Sequence, residues 1–176
     1  MSKIIELAKK SVEKYITQKK KLSVPKNTEE ELMQKKRGVF VTIKKEEKLR
    51  GCIGTIKPTK ETLAEEIIAN AVNACKDPRF PSITKEELSE LSYEVNILTE
   101  PELISKVKGV PEEISINPKR EGIIVESGRK TGLLLPDLEG IDSAKKQLKH
   151  ALKKGRIGFD EEFKIYKFET DEYKGV

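Results

Sequence analysis

The sequence predicts an α+β fold, an antiparallel β-sheet flanked by helices, with a smaller lobe expected in the second half. Three observations carry this. Segments of alternating polar and apolar residues come in adjacent pairs joined by short polar tips, the pattern of antiparallel hairpins. Segments of helical period interrupt these hairpins instead of alternating with single strands, which argues against a doubly wound parallel sheet. The length, 176 residues, suits one domain with its own core. The expectation is therefore a single domain over residues 1–176, with a minor lobe at about 101–155.

Residues 3–18 place Ile5, Ala8, Val12, Tyr15 and Ile16 on one face with lysines opposite, an amphipathic helix. A polar connection around Pro25 follows, and Glu29 to Glu31 suit the opening of a short helix. Val39, Val41 and Ile43 then alternate with Phe40, Thr42 and Lys44 as a strand. Lys45 to Lys48 is a polar tip and Leu49 to Ile56 the returning strand. Thr62 to Glu65 fits a capping box, and Leu63, Ile67, Ala71 and Cys75 recur at helical spacing. Pro78 disfavours helix at Asp77, so Asp77 to Pro81 reads as a rigid turn. A second capping-box match, Thr84 to Glu87, predicts a short helix to about Leu91. Tyr93 to Leu98 reads as a strand, and Pro101 to Pro118 is ambiguous. Gly122 to Glu126 and Thr131 to Leu135 form a second hairpin, Ser143 to Lys154 a helix, and Phe163 to Phe168 the last strand.

Composition narrows the function classes. Hydrophobic residues are 36% of the chain and charged residues 37%, which predicts a surface rich in Lys and Glu. No apolar run approaches the roughly 18 residues that span a bilayer, and the start lacks the apolar stretch of a signal peptide. A cytoplasmic protein without a membrane role is the expectation. Two cysteines and one histidine argue against a disulfide framework and fall short of a tetrahedral zinc site. No metal and no cofactor is assigned. The net charge of +5 is concentrated in residues 1–37, which carry +6. Their lysines read as a solvated helix face and linker with few aromatics for base stacking, so nucleic-acid binding is the lesser reading.

The segment that suggests chemistry is Arg50-Gly51-Cys52-Ile53-Gly54-Thr55. In an extended strand Arg50 and Cys52 would be neighbours on one face, and a guanidinium beside a thiol favours the thiolate. Gly51 and Gly54 inside one strand suggest a bulge or a close backbone approach. Thr55 adds a hydroxyl shortly before a helix N-terminus, where a small anionic ligand would fit. From these residues alone, a bulged strand with a small buried cysteine and a surface arginine is the slightly stronger reading. Cys75, on the apolar helix stripe, reads as core, and His150, among lysines in a helix, has no triad pattern around it.

The stretch Leu49 to Thr55 resembles the hallmark of the AMMECR domain family, whose bacterial and archaeal members are also called AmmeMemoRadiSam system protein A. Asp77-Pro78-Arg79-Phe80-Pro81 is similar to the family's turn after its helix. Glu94 to Leu98 with Pro101-Glu102, and Gly132 to Pro136, resemble its later strands. The resemblance spans roughly residues 3–173. It departs from the family in the last third, at Asp137-Leu138, at Lys154-Gly155-Arg156 and in having no tryptophan.

The resemblance implies the α+β fold and an association with radical SAM and Memo-like proteins. It fixes no activity, and two cysteines do not supply the ligands of an iron–sulfur cluster. It raises the hallmark from a structural to a functional candidate. Cys52, Arg50 and Glu94 become catalytic candidates, with Cys52 as nucleophile, Arg50 as its stabiliser and Glu94 or Asp77 as base. Gly51, Gly54, Thr55, Asp77 and Arg79 become ligand-binding candidates. The leading function is a component of a radical-SAM and Memo-associated modification system with a ligand or catalytic site at Arg50 to Thr55; the alternatives are a non-catalytic binding or adaptor module and a nucleic-acid-binding regulatory protein.

Overall fold

The structure, a computed structural model, describes residues 2–176. It is an α+β fold with two antiparallel sheets and four helices. The chain divides into two compact units, Met1–Ile97 with Asp171–Val176, and Leu98–Thr170.

The first unit opens with α1 (Lys3–Gln18), capped by Ser2, whose hydroxyl accepts from Ile5 N–H. The short α2 (Glu30–Gln34) starts where three consecutive acids favour a helix N-terminus. The hairpin follows as β1 (Val39–Lys45) and β2 (Lys48–Thr55). Next comes α3 (Leu63–Ala74), with Thr62 and Glu65 forming both halves of the capping box. At Thr84 the box is incomplete: Glu87 accepts Thr84 N–H, but only a 3₁₀ turn, Glu86–Glu90, forms. β3 (Leu91–Leu98) then pairs antiparallel with β1.

The second unit holds β4 (Glu102–Lys108), β5 (Gly122–Ser127), β6 (Lys130–Leu134), α4 (Ala144–Lys154) and β7 (Glu162–Phe168). Its strand order is β4-β7-β5-β6. Leu148, Ala151 and Leu152 of α4 pack with Ile123, Val125 and Phe163. The strand that ends at Phe168 is not the last. β8 (Thr170–Gly175) follows and completes the first sheet in the order β2-β1-β3-β8.

The first core fixes which face of that sheet is covered. Val39, Val41 and Ile43 of β1 and Tyr93, Val95 and Ile97 of β3 are buried in one cluster with Ile5, Ala8 and Val12 of α1 and Ile67 and Ala71 of α3. Period 2 therefore turns Phe40, Thr42, Cys52, Gly54, Glu94 and Asn96 to the opposite face. No helix among the described residues is long and apolar enough to cross a membrane.

Candidate functional site

β2 is an edge strand, so one row of its backbone groups has no neighbouring strand to bond. The turn after α3 supplies the partners. Cys52 N–H donates to Asp77 Oδ2 at 2.9 Å, and the Cys52 carbonyl accepts from Arg79 Nη2 at 3.3 Å. Asp77 is 3% exposed, and its carboxylate also takes Arg79 Nη2 at 2.6 Å, Arg79 Nε at 2.9 Å and Arg79 N–H at 3.1 Å. The Arg79 guanidinium, with those two backbone N–H groups, holds the buried Asp77 carboxyl well below the usual carboxylate range. Two motifs far apart in the sequence are thus one edge-sealing unit.

Arg50 strengthens the same seam. The pairing of β1 with β2 slips between Ile43 and Lys44, so that Gly51 faces Ile43, Leu49 faces Lys44, and Arg50 is the extra residue of a bulge. The simple alternation that would set Arg50 beside Cys52 is broken there. The guanidinium is bidentate on Glu87, with Nε to Oε1 at 2.9 Å and Nη2 to Oε2 at 3.0 Å. Two of its other three donors reach the Pro81 carbonyl at 2.7 Å and the Ser82 carbonyl at 3.1 Å. This pairing brings the Glu87 carboxyl down to about 2. Arg50 therefore ties the 77–87 segment to the strand and is not directed at the thiol.

The two glycines have concrete neighbours. A Cβ on Gly51 would stand 2.3 Å from the Ala74 carbonyl oxygen, so Gly51 lets the end of α3 lie directly on β2. A Cβ on Gly54 would stand 2.3 Å from Cγ of Phe40, its cross-strand partner, whose ring occupies that space. The close approaches expected at these glycines are made by the chain itself. Thr55 donates to Glu66 Oε1 at 2.6 Å and accepts from Asn70 Nδ2 at 3.1 Å.

The side chain of Cys52 has a different setting. The thiol is half-buried on the face turned from α3, where Thr42 Oγ1 donates to Sγ at 3.2 Å. Thr42 pairs with Cys52 on one side and with Glu94 on the other, so the three form one row across β2, β1 and β3. Glu94 does not lie next to the hallmark strand; β1 runs between them. Its carboxylate is held by Lys44 at 2.5 Å, with Lys174 at 3.8 Å. Cys75 contrasts with Cys52: it is buried at the C-cap of α3, donates to the Ala71 carbonyl at 3.3 Å, and burial pushes its thiol up to about 12. His150 lies on exposed α4 surface with Nδ1 2.9 Å from the Lys146 carbonyl.

The structure thus brings Arg50, Gly51, Cys52, Asp77 and Arg79 into one seam, sets Thr55 against Glu66 and Asn70 of α3 and Gly54 against Phe40, and leaves Glu94 in the row beyond. Sequence reasoning missed Thr42, Glu66, Asn70 and Glu87. A signal existed for two of them: Glu66 and Asn70 are polar residues four apart inside an otherwise apolar helix face, both 1% exposed. Among the described residues no group of three or more His, Cys, Asp or Glu is arranged to hold a metal ion.

Comparison with known proteins supplies relatives along nearly the whole chain. The AMMECR1 family model matches residues 5–173. A protein of Clostridium acetobutylicum is 43% identical over 172 residues, which is 97% of this chain but 35% of the clostridial one. A Thermotoga maritima protein is 39% identical over 173 residues, 97% of this chain and 96% of its own. The crystal structure of an uncharacterized protein from Pyrococcus horikoshii superposes with a TM-score of 0.87 at 37% identity, over 97% of this chain and 89% of that one.

Proposed function

Because this chain belongs to the AMMECR1 family, we propose that it is a binding component of a radical-SAM and Memo-associated modification system, presenting the Cys52 face of its sheet to a partner. The observation that carries this is the engagement of the hallmark's charged groups within the fold. Arg50 is bidentate on Glu87, Asp77 on Arg79 and the Cys52 N–H, and Glu94 is paired with Lys44. Four of the five Arg50 donors are taken up within the fold, and Glu94 already meets two ammonium groups, so neither side chain is bonded to the thiol. The hallmark so arranged frames a surface. The length of the clostridial relative, of which this chain spans about a third, supports work alongside further polypeptide.

The test is co-purification of the tagged chain at mild salt with separately expressed radical SAM and Memo-like proteins. Recovery of either partner, lost on Cys52→Arg or Phe40→Glu, is expected. Recovery of neither partner would sink the reading.

One observation favours a nucleophilic role as the second reading. The thiol of Cys52 is partly accessible and already accepts a hydroxyl donor from Thr42. A partner could then deliver the missing base. In that case Cys52→Ser would leave partner recovery intact and abolish the activity of the assembled system, whereas a pure interface would tolerate this near-isosteric change.

A further inference from the structure

On the α1 and α3 side of the first unit lies a cleft of about 410 Å³, within the range of small-ligand sites. Four lysines line it: Lys19 and Lys21 at and just after the end of α1, Lys60 before α3, and Lys76 just past it. None of the four is ion-paired among the described residues, and no acidic side chain lines the cleft. Elsewhere in the same unit Lys3, Lys10, Lys35 and Lys36 each meet a glutamate. The one carboxylate close by, Glu66, is 1% exposed and already bonded to Thr55, Thr59 and the Lys60 N–H behind the cleft wall, so four ammonium groups face the concavity against one satisfied carboxylate and the potential there is positive.

The cleft is also built locally. Lys19 adopts a left-handed conformation, φ 55°, which an L-residue takes at a cost of about 1 kcal/mol. Its N–H bonds the Tyr15 carbonyl, and its Nζ lies 5.3 Å from the centre of the Tyr15 ring. Lys76 approaches that ring at 4.9 Å, so one tyrosine holds two of the ammonium groups.

The second observation is Asn70, which lines the cleft and is 1% exposed. Its Nδ2 donates to the Val39 carbonyl and to Thr55 Oγ1, each at 3.1 Å. Those bonds, with a longer one to Glu66 Oε1 at 3.5 Å, fix the amide nitrogen and leave Oδ1 without a partner and closed to solvent at the cleft wall, so that a ligand's donor meets it only as the wall shifts. A buried carbonyl in that state lacks a donor, and its desolvation is uncompensated. Inorganic anions bring charge for the lysines but little for an acceptor. A ligand with both a phosphate and a hydroxyl or amino donor answers both features.

We propose that this cleft binds a small phosphorylated compound carrying hydroxyl or amino donors, of the nucleotide or sugar-phosphate class, with the phosphate among Lys19, Lys60 and Lys76 and a donor on Asn70 Oδ1. It stands on residues other than the Cys52 face and does not rest on the function proposed for that face. A nucleic acid would bring phosphates and donors as well, but the lysines surround a single cleft of about 410 Å³ and do not track along a groove, so a small ligand fits better.

Calorimetric titration of the full chain with AMP, ribose 5-phosphate, adenosine and inorganic phosphate, in about 0.15 M salt, tests this. Either AMP or ribose 5-phosphate should bind at least about tenfold more tightly than adenosine or inorganic phosphate. AMP ahead of ribose 5-phosphate identifies a nucleotide site, and parity a sugar-phosphate site. Lys60→Glu with Lys76→Glu, both exposed, should weaken binding at least about tenfold with the urea midpoint unchanged. Asn70→Ala should remove the preference over inorganic phosphate; since it also breaks two bonds to the sheet, the lysine pair decides if that variant does not fold. Equal affinity for all four compounds, no effect of the double reversal, or binding of oligothymidylate alone would each overturn the proposal.

Discussion

Asp77 accepts the backbone N–H of Cys52 at 2.9 Å, and through this bond the turn after α3 becomes the missing neighbour of an edge strand. The same carboxylate holds Arg79, whose Nη2 returns to the Cys52 carbonyl. Asp77→Asn would keep the shape but replace one carboxylate oxygen by an amide nitrogen facing donors. A stability loss of about 2–3 kcal/mol is expected, below the 3–5 typical of a fully buried broken pair because Arg79 is largely exposed. Urea unfolding of the two proteins measures it; a loss under about 0.5 kcal/mol would mean the seam is only geometric.

The seam should also set the acid limit of the fold. Asp77 and Glu87 both titrate below their unfolded values of about 3.9 and 4.3. A depressed folded pKa adds stability that is fully present above the unfolded value and is lost as pH falls through the folded one. The contribution of Glu87 should therefore fade from about pH 4 toward about 2, and that of Asp77 should extend lower still. Stability measured from pH 5 to pH 2 should fall less steeply for Glu87→Gln than for the parent chain. Parallel curves would show that Arg50 and Glu87 contribute nothing to the slope.

Glycine has two distinct roles here, and alanine substitution separates them. At Gly51 the added methyl meets the Ala74 carbonyl at 2.3 Å, backbone against backbone, where relief requires α3 to shift. Overpacking of this kind costs about 1–3 kcal/mol, and Gly51→Ala is expected at or above the upper end. At Gly128, between β5 and β6, φ is 57° and nothing lies within 4 Å, so Gly128→Ala meets only the left-handed penalty of about 1 kcal/mol. Thermal unfolding of the two variants should rank them in that order. The reverse order would mean that α3 does not press on β2.

How much of this was legible follows from what each residue contacts. The hairpin could be read because Val39, Val41 and Ile43 face a core, and burial imposes period 2 on a sequence. β8 could not: none of its six residues is buried and only Tyr173 among them packs on the core, as expected of an edge strand. β4, with four of its seven residues exposed and three of those charged, hides for the same reason. A bulge beside Gly51 was foreseeable from glycine in a strand, but the place of Arg50 in it was not, because the partner Glu87 lies 37 residues away and no local pattern announces it. Asn70 stood in view as a polar residue on an apolar stripe; its free Oδ1 needed coordinates.

The two cysteines give the sharpest comparison of surface with core. Cys52 is half-buried on the sheet face turned from α3, while Cys75 is 7% exposed with its thiol pushed up to about 12. Thiolate is the reacting species in alkylation, so both access and protonation protect Cys75. Iodoacetamide on the native chain at about pH 8 should label Cys52 first and leave Cys75 unmodified until denaturant is added, as mass spectrometry of the peptides would record. Addition of a partner protein should then slow labelling at Cys52 if the Cys52 face is the interface. Labelling that partner addition leaves unchanged, in a mixture where the complex is known to form, would place the interface elsewhere and return Cys52 to the role of a reactive group.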